Sequence, residues 1–147
     1  MRMQPQVTYS NAEGAVIRSE IARRFHESYR DGDAAEFMAC LAPGWRIHEA
    51  DGSTSSAEDL AKITRVHAEA FPEKTLEFVH EIEQGDVIAQ FVRYRLVHTG
   101  RYLDLDPTGR TIEFSEMIFH RFAGDRIAES WRLTHPLSMS AALRSAE

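Results

Sequence analysis

The sequence predicts an α+β fold, with N-terminal helices packed on one side of a curved antiparallel sheet that stays open as a cone-shaped half-barrel. Two observations predict it. Apolar residues recur at helical spacing up to Phe71, and from Thr75 onward the period switches to two in long runs separated by short turns. A sheet half closed by helices leaves a cone open at one end, a natural place for a small-molecule pocket.

Taken in order, Met1 to Ser10 is polar, contains Pro5 and reads as a loose arm. Asn11 caps a helix running to about Arg30, in which Ile17, Ile21, Phe25 and Tyr29 repeat every four residues. Asp31-Gly32-Asp33 ends it, and Asp33 caps a short second helix through Phe37 and Leu41 that Pro43-Gly44 stops. Trp45 to Ala50 alternates Trp45, Ile47 and Glu49 against Arg46, His48 and Ala50, as a short strand does. Asp51 to Ser55 is a turn. Ser56-Ala57-Glu58-Asp59 is a capping box with Asp59 in the usual Glu position. It opens a helix with Leu60, Ile63, His67 and Phe71 on one face, closed by Pro72. Four strands follow, near Thr75–Glu83, Val87–His98, Thr111–Phe122 and Arg126–Thr134. Beyond Pro136, Leu137, Met139 and Leu143 have the spacing of a short helix that covers the cone mouth or crosses to a partner. No linker or repeat divides the chain, so residues 1–147 form one domain, with an arm at 1–10 and a tail at 136–147.

Composition narrows the function. An apolar fraction of 43% is that of a globular protein. No apolar run approaches the roughly 20 residues of a membrane span, and the N-terminus lacks a signal-peptide pattern, so a cytoplasmic protein is expected. A net charge of −6 argues against nucleic acid and anionic membrane as partners. The single Cys40 excludes an internal disulfide, and no histidine or cysteine spacing fits a metal site. Glycine patterns of nucleotide cradles and motifs for covalent catalysis are missing as well.

The turn at Gly124-Asp125 sets an expected register. It places Phe122 opposite Ile127, His120 opposite Glu129, Ile118 opposite Trp131, Glu116 opposite Leu133 and Phe114 opposite His135, all on one face. His120 with Glu129 is then either a cross-strand ion pair or a proton shuttle. His135 and Glu116 fall near the cone mouth and rank higher as chemical groups. On the preceding strand Val92, Tyr94, Leu96 and His98 share a face, with His98 at the loop as a reactive group or a turn histidine. His48 is a further candidate, while His26, His67 and His80 read as helix or surface residues.

Five elements in order carry a resemblance: His48-Glu49-Ala50, Phe71-Pro72, Val97-His98-Thr99-Gly100, Asp106-Pro107-Thr108-Gly109-Arg110, and the hairpin from Gly124 to Trp131 with Ile127 and Glu129. In this order the chain is similar to the SnoaL-like polyketide cyclases of the nuclear transport factor 2-like superfamily. The resemblance implies a cone-shaped barrel, a homodimer packed through its sheets, and a pocket that closes rings in polyketide-like intermediates without metal or cofactor. Family members that run aldol cyclisations have an acid/base aspartate four residues after the hairpin tryptophan. Here that position is His135. Val97 also replaces a threonine, and Asp106 a proline, of the family pattern.

Two mechanisms follow for a small apolar substrate. In one, His135, helped by Glu116 or His98, abstracts an acidic proton while Tyr94 or Tyr102 polarises a carbonyl. In the other, apolar walls of Trp45, Phe71, Phe114, Ile118 and Trp131 fold a polyene for pericyclic closure. His48, Tyr102, His120 and Glu129 complete the expected substrate-binding set. Relatives on this fold also hydrolyse epoxides, form pyrans or isomerise, using a carboxylate pair for which Glu116 with Glu129 or Asp104 qualifies. Others only bind ligand.

Overall fold

The structure, a computed structural model, describes residues 17–136 and 139–145. The expected arm at 1–10, the Asn11 cap and Leu137 lie outside the described residues. Helix α1 (Arg18–Asp31) starts from extended Ile17 with no side-chain cap. It ends where Gly32 takes a left-handed φ of 72° and its N–H reaches the carbonyls of Ser28 and Tyr29. Asp33 caps α2 (Ala34–Ala39), accepting from the Glu36 N–H at 3.0 Å. Both halves of the Ser56–Asp59 capping box form at the start of α3 (Ala57–Ala70).

The strands are β1 (Leu41–His48), β2 (Thr54–Ser56), β3 (Glu73–Gln84), β4 (Val87–Val97), β5 (Thr111–Ala123) and β6 (Arg126–His135), and α4 is Met139–Ser145. Three expectations are corrected. Pro43-Gly44 lies inside β1, at a stretch where pairing with β6 is irregular, as proline in a strand requires. The expected turn after Ala50 contains β2, which pairs with β1. The sheet is mixed, in order β2-β1-β6-β5-β4-β3, because β1 runs parallel to β6 after the chain has crossed the sheet.

Two β-bulges decide which side chains face inward. Phe122 pairs with Ile127 as the turn dictates, but Arg121 then opposes Glu129, leaving Ala128 as an extra residue. From there every partner on β6 is shifted by one. Ser130 opposes His120, Arg132 opposes Ile118 and Thr134 opposes Glu116, while Trp131 faces Phe119 and His135 faces Ser115. The second bulge leaves Val79 unpaired between Phe78 and His80, and so brings Glu81 opposite Gln90.

The inner face packs into two clusters. Phe25, Trp45, Ile47, Ile118 and Phe122 form one; Phe71, Tyr94, Leu96, Phe114 and Leu143 form the other. Among the described residues no helix is long and apolar enough to cross a membrane.

Candidate active site

A cavity of about 560 Å³ opens between the two clusters. Its walls are largely apolar, with Phe25, Phe37, Leu60, Tyr94 and Phe114 among them, and its rim carries Ile63, Leu103 and Met139. The polar groups converge from four elements: His26 and Tyr29 from α1, His67 from α3, Glu116 from β5 and Arg132 from β6. Glu49, just beyond β1, joins them.

Arg132 organises this end of the cavity. Its Nε and Nη2 donate to the Glu49 carboxylate at 3.1 and 2.6 Å, and its Nη1 donates to Glu116 Oε2 at 3.3 Å. Burial works against the Arg132 charge, but the Glu116 and Glu49 carboxylates outweigh it and hold the guanidinium protonated. Burial also pushes the Glu116 carboxyl upward, opposed by Arg132 and assisted by the like charge of Glu49. Glu116 Oε1 lies 3.8 Å from His26 Nδ1, and that nitrogen lies 3.0 Å from the Tyr94 hydroxyl.

The two histidines here are neutral near pH 7. Burial lowers His26 to about 3 and His67 to about 4, and the Arg132 charge adds to both. Burial raises the phenols of Tyr29 and Tyr94 well above their usual value, keeping both as O–H donors. The Tyr29 hydroxyl and His67 Nδ1 share a hydrogen bond of 2.5 Å. The pocket is therefore lined by neutral donors and acceptors around one carboxylate–guanidinium–carboxylate cluster. Glu116 is its one carboxyl that is both deeply buried and shifted toward neutrality.

Of the residues predicted from sequence, Glu116, Tyr94, Tyr102 and Phe114 line this cavity. The others lie elsewhere. The Ala128 bulge turns Glu129, Trp131 and His135 onto the outer face of the sheet, so His135 is not at the cone mouth. His48 pairs there with Glu129 at 2.7 Å and stacks on Trp131, taking the partnership expected of His120. His120 is instead buried against Ser130, its Nδ1 2.7 Å from a hydroxyl that also accepts from Trp45 Nε1. Trp45, Phe71 and Ile118 are core residues, at most 2% exposed and off the cavity lining. His98 is the turn histidine: Nδ1 accepts from the Thr108 N–H, and its backbone exchanges hydrogen bonds with Gly109 and Arg110, pinning the 106–110 loop. Asp104 lies on the exposed loop and pairs with Arg144.

Sequence reasoning missed Arg132, Glu49, His26, Tyr29 and His67. For four of these a signal was present. Glu49 continues the inward phase of Trp45 and Ile47, His67 continues that of Leu60 and Ile63, and Ala22-His26-Tyr29 is a helical stripe beside Ile21-Phe25. A buried acid on that phase calls for a cation. Arg132 had no such signal, because only the bulge turns it inward.

No curated protein matches the chain in sequence. Solved structures resemble it in fold. AclR from Streptomyces galilaeus, a hydroxylase candidate, superposes with a TM-score of 0.76 at 19% identity, over 88% of this chain and 82% of its own. IdmH from Streptomyces antibioticus, a polyketide cyclase candidate, gives 0.72 at 23% identity, over 88% of this chain and 99% of its own. A SnoaL-like cyclase candidate from Jannaschia sp. CCS1 gives 0.72 at 17%, over 95% and 100%. The profile of the SnoaL-like polyketide cyclases matches residues 19–143, nearly the whole described chain and every element that builds the pocket. The protein belongs to the SnoaL-like polyketide cyclase family.

Proposed function

We propose that this pocket closes a ring in a polyketide-like intermediate by proton transfer at Glu116. The observation that carries the proposal is a buried carboxyl at the polar end of an aromatic-walled cavity, bonded to Arg132 and facing His26 and Tyr94. Burial brings its proton affinity closer to that of an effective base near neutral pH. In this scheme the Glu116 carboxylate takes a proton from a carbon flanked by two carbonyls. The resulting enolate attacks a second carbonyl of the same chain, forming the carbon–carbon bond. The new alkoxide then recovers the proton from the Glu116 carboxyl. Arg132 steadies the carboxylate and the negative charge beside it. The apolar walls hold the chain folded so that its two ends meet.

This reading moves the acid/base role from His135 to Glu116. It also favours proton transfer over pericyclic closure, since four of the five residues expected to wall a pericyclic site lie off the cavity. A second reading draws on the Glu49–Arg132–Glu116 cluster, in which one carboxylate activates a hydroxyl and the other carboxyl protonates an opening epoxide. Assembly as a homodimer through the sheets is supported by Met117, Phe119, Leu133 and Trp131, which are exposed together on the outer face.

Linear poly-β-ketones offered to the wild type, Glu116→Gln and His135→Ala test the scheme. Glu116→Gln is expected to lower kcat by about 10²–10⁴-fold, with His135→Ala near wild type. Full ring closure by Glu116→Gln refutes the assignment. Conversion of epoxides alone favours the second reading.

A further inference from the structure

His26 can satisfy its neighbours in two ways. With the proton on Nε2, it donates to Gln90 Oε1 at 3.0 Å and its Nδ1 accepts from the Tyr94 hydroxyl. With the proton on Nδ1, it donates to the Tyr94 oxygen, Tyr94 donates to the His26 carbonyl at 3.3 Å, and Nε2 accepts from a reversed Gln90 amide. Both arrangements use every group on the pocket side. Within the pocket the Glu116 carboxylate, 3.8 Å from Nδ1, favours the proton on Nδ1.

The opposite preference comes through a hydrogen bond, from the far side of Gln90. Its amide nitrogen lies 3.5 Å from Glu81 Oε1, a carboxylate that only accepts. Reversing Gln90 would press its carbonyl oxygen against that carboxylate. Glu81 is held in turn by Arg23, whose Nε and Nη2 donate to its two oxygens at 2.9 and 3.3 Å. Glu81 stands opposite Gln90 only because Val79 bulges from β3; in unbroken register His80 would occupy that place.

We propose that Arg23, Glu81 and Gln90 form a relay that sets the tautomer of His26, fixing its proton on Nε2 and leaving Nδ1 as an acceptor for the Tyr94 hydroxyl, with no N–H toward Glu116. The three are positioning residues, and their importance to turnover rests on the reading of Glu116 as the proton-transfer group. In that role an unprotonated Nδ1 sets no N–H against Glu116 Oε1, 3.8 Å away, and so leaves the carboxylate free to take the substrate's proton. The other tautomer would present an N–H there, favouring the carboxylate over the protonated acid.

Long-range ¹H–¹⁵N spectra of the ring nitrogens, with the His26 signals assigned by their loss in His26→Asn, report the tautomer without any substrate. The wild type is expected to show a pyridine-like Nδ1 and a pyrrole-like Nε2. In Glu81→Gln, whose amide tolerates either Gln90 orientation, both signals should move toward the average of the two tautomers. Arg23→Gln, which keeps the carboxylate but frees it, should move them less in the same direction, and it serves if Glu81→Gln does not fold. A pyrrole-like Nδ1 in the wild type overturns the proposal, as do signals unmoved in both variants. An inactive Glu116→Gln with an unresponsive tautomer separates failure of the relay from failure of the catalytic reading.

Discussion

His67 and His26 give the stability of this protein a definite pH dependence. In the unfolded chain both titrate near 6.5, whereas burial holds them at about 4 and about 3 in the fold. Between those values the unfolded state binds more protons, so stability is intact above about 6.5 and is lost as pH falls toward 4. Each histidine contributes a slope of at most about 1.4 kcal/mol per pH unit across that window. Glu116 has the opposite sign: its folded affinity for a proton is raised, so its contribution is largest at low pH and declines as pH rises above its unfolded value. Burial lowers His120 and His98 as well, so the net slope is expected to be that of the histidines. Urea unfolding from pH 7 to 4.5 should show a falling free energy. His67→Asn, which keeps an acceptor for the Tyr29 hydroxyl, should flatten that fall. An unchanged slope in the variant would place the buried proton-binding site elsewhere. Residue identity alone exposed little of this, because histidines on amphipathic helices read alike whether they face a pocket or solvent.

At the scale of elements, the junction between α3 and the end of β4 shows how a motif can be structural. The Thr99 and Gly100 N–H groups both donate to the Ala70 carbonyl, at 3.2 and 3.0 Å, closing the end of the helix against the loop. A Cβ on Gly100 would fall 1.8 Å from the Glu69 carbonyl oxygen, a backbone atom that cannot step aside. Gly100→Ala is therefore expected to cost about 1–3 kcal/mol or more in denaturant unfolding. Gly109 meets nothing within 4 Å, and its φ of 73° is the only obstacle, so Gly109→Ala should cost about 1–2 kcal/mol. Equal losses would mean that the helix–loop junction relaxes freely. Elements of this kind were legible in the sequence. The helix caps at Asp33 and Ser56, the four long strands and the inward row Val92, Tyr94, Leu96 and His98 follow from local chemistry and periodicity. The parallel pairing of β1 with β6 does not, because it joins segments some eighty residues apart whose contact no local pattern encodes.

Across the whole molecule the two faces of the sheet differ, with the ionic cluster inside and a group of exposed apolar side chains outside. Met117 opposes Leu133 and Phe119 opposes Trp131 on the outer face, each at least 40% exposed. A second copy seated there would shelter all four. Sedimentation of the wild type at tens of micromolar (about the range where modest interfaces fill) should give a dimer, and Phe119→Asp with Leu133→Arg a monomer. A monomeric wild type would refute the pairing. What separated the sequence reading of this sheet from the structure was a single extra residue at Ala128, which alternation cannot announce. Its effect reaches beyond one misplaced histidine. Downstream of Ala128, β6 carries two complete programmes, Ser130, Arg132 and Thr134 on one parity and Trp131, Leu133 and His135 on the other. Register, not composition, selects which is displayed. By the geometry of a pleated strand, drawing Ala128 into regular pairing opposite Arg121 would exchange a guanidinium-bearing cavity for one walled by tryptophan and leucine, with no side chain rewritten. The ionic interior therefore depends on one bulge conformation as much as on the residues that line it.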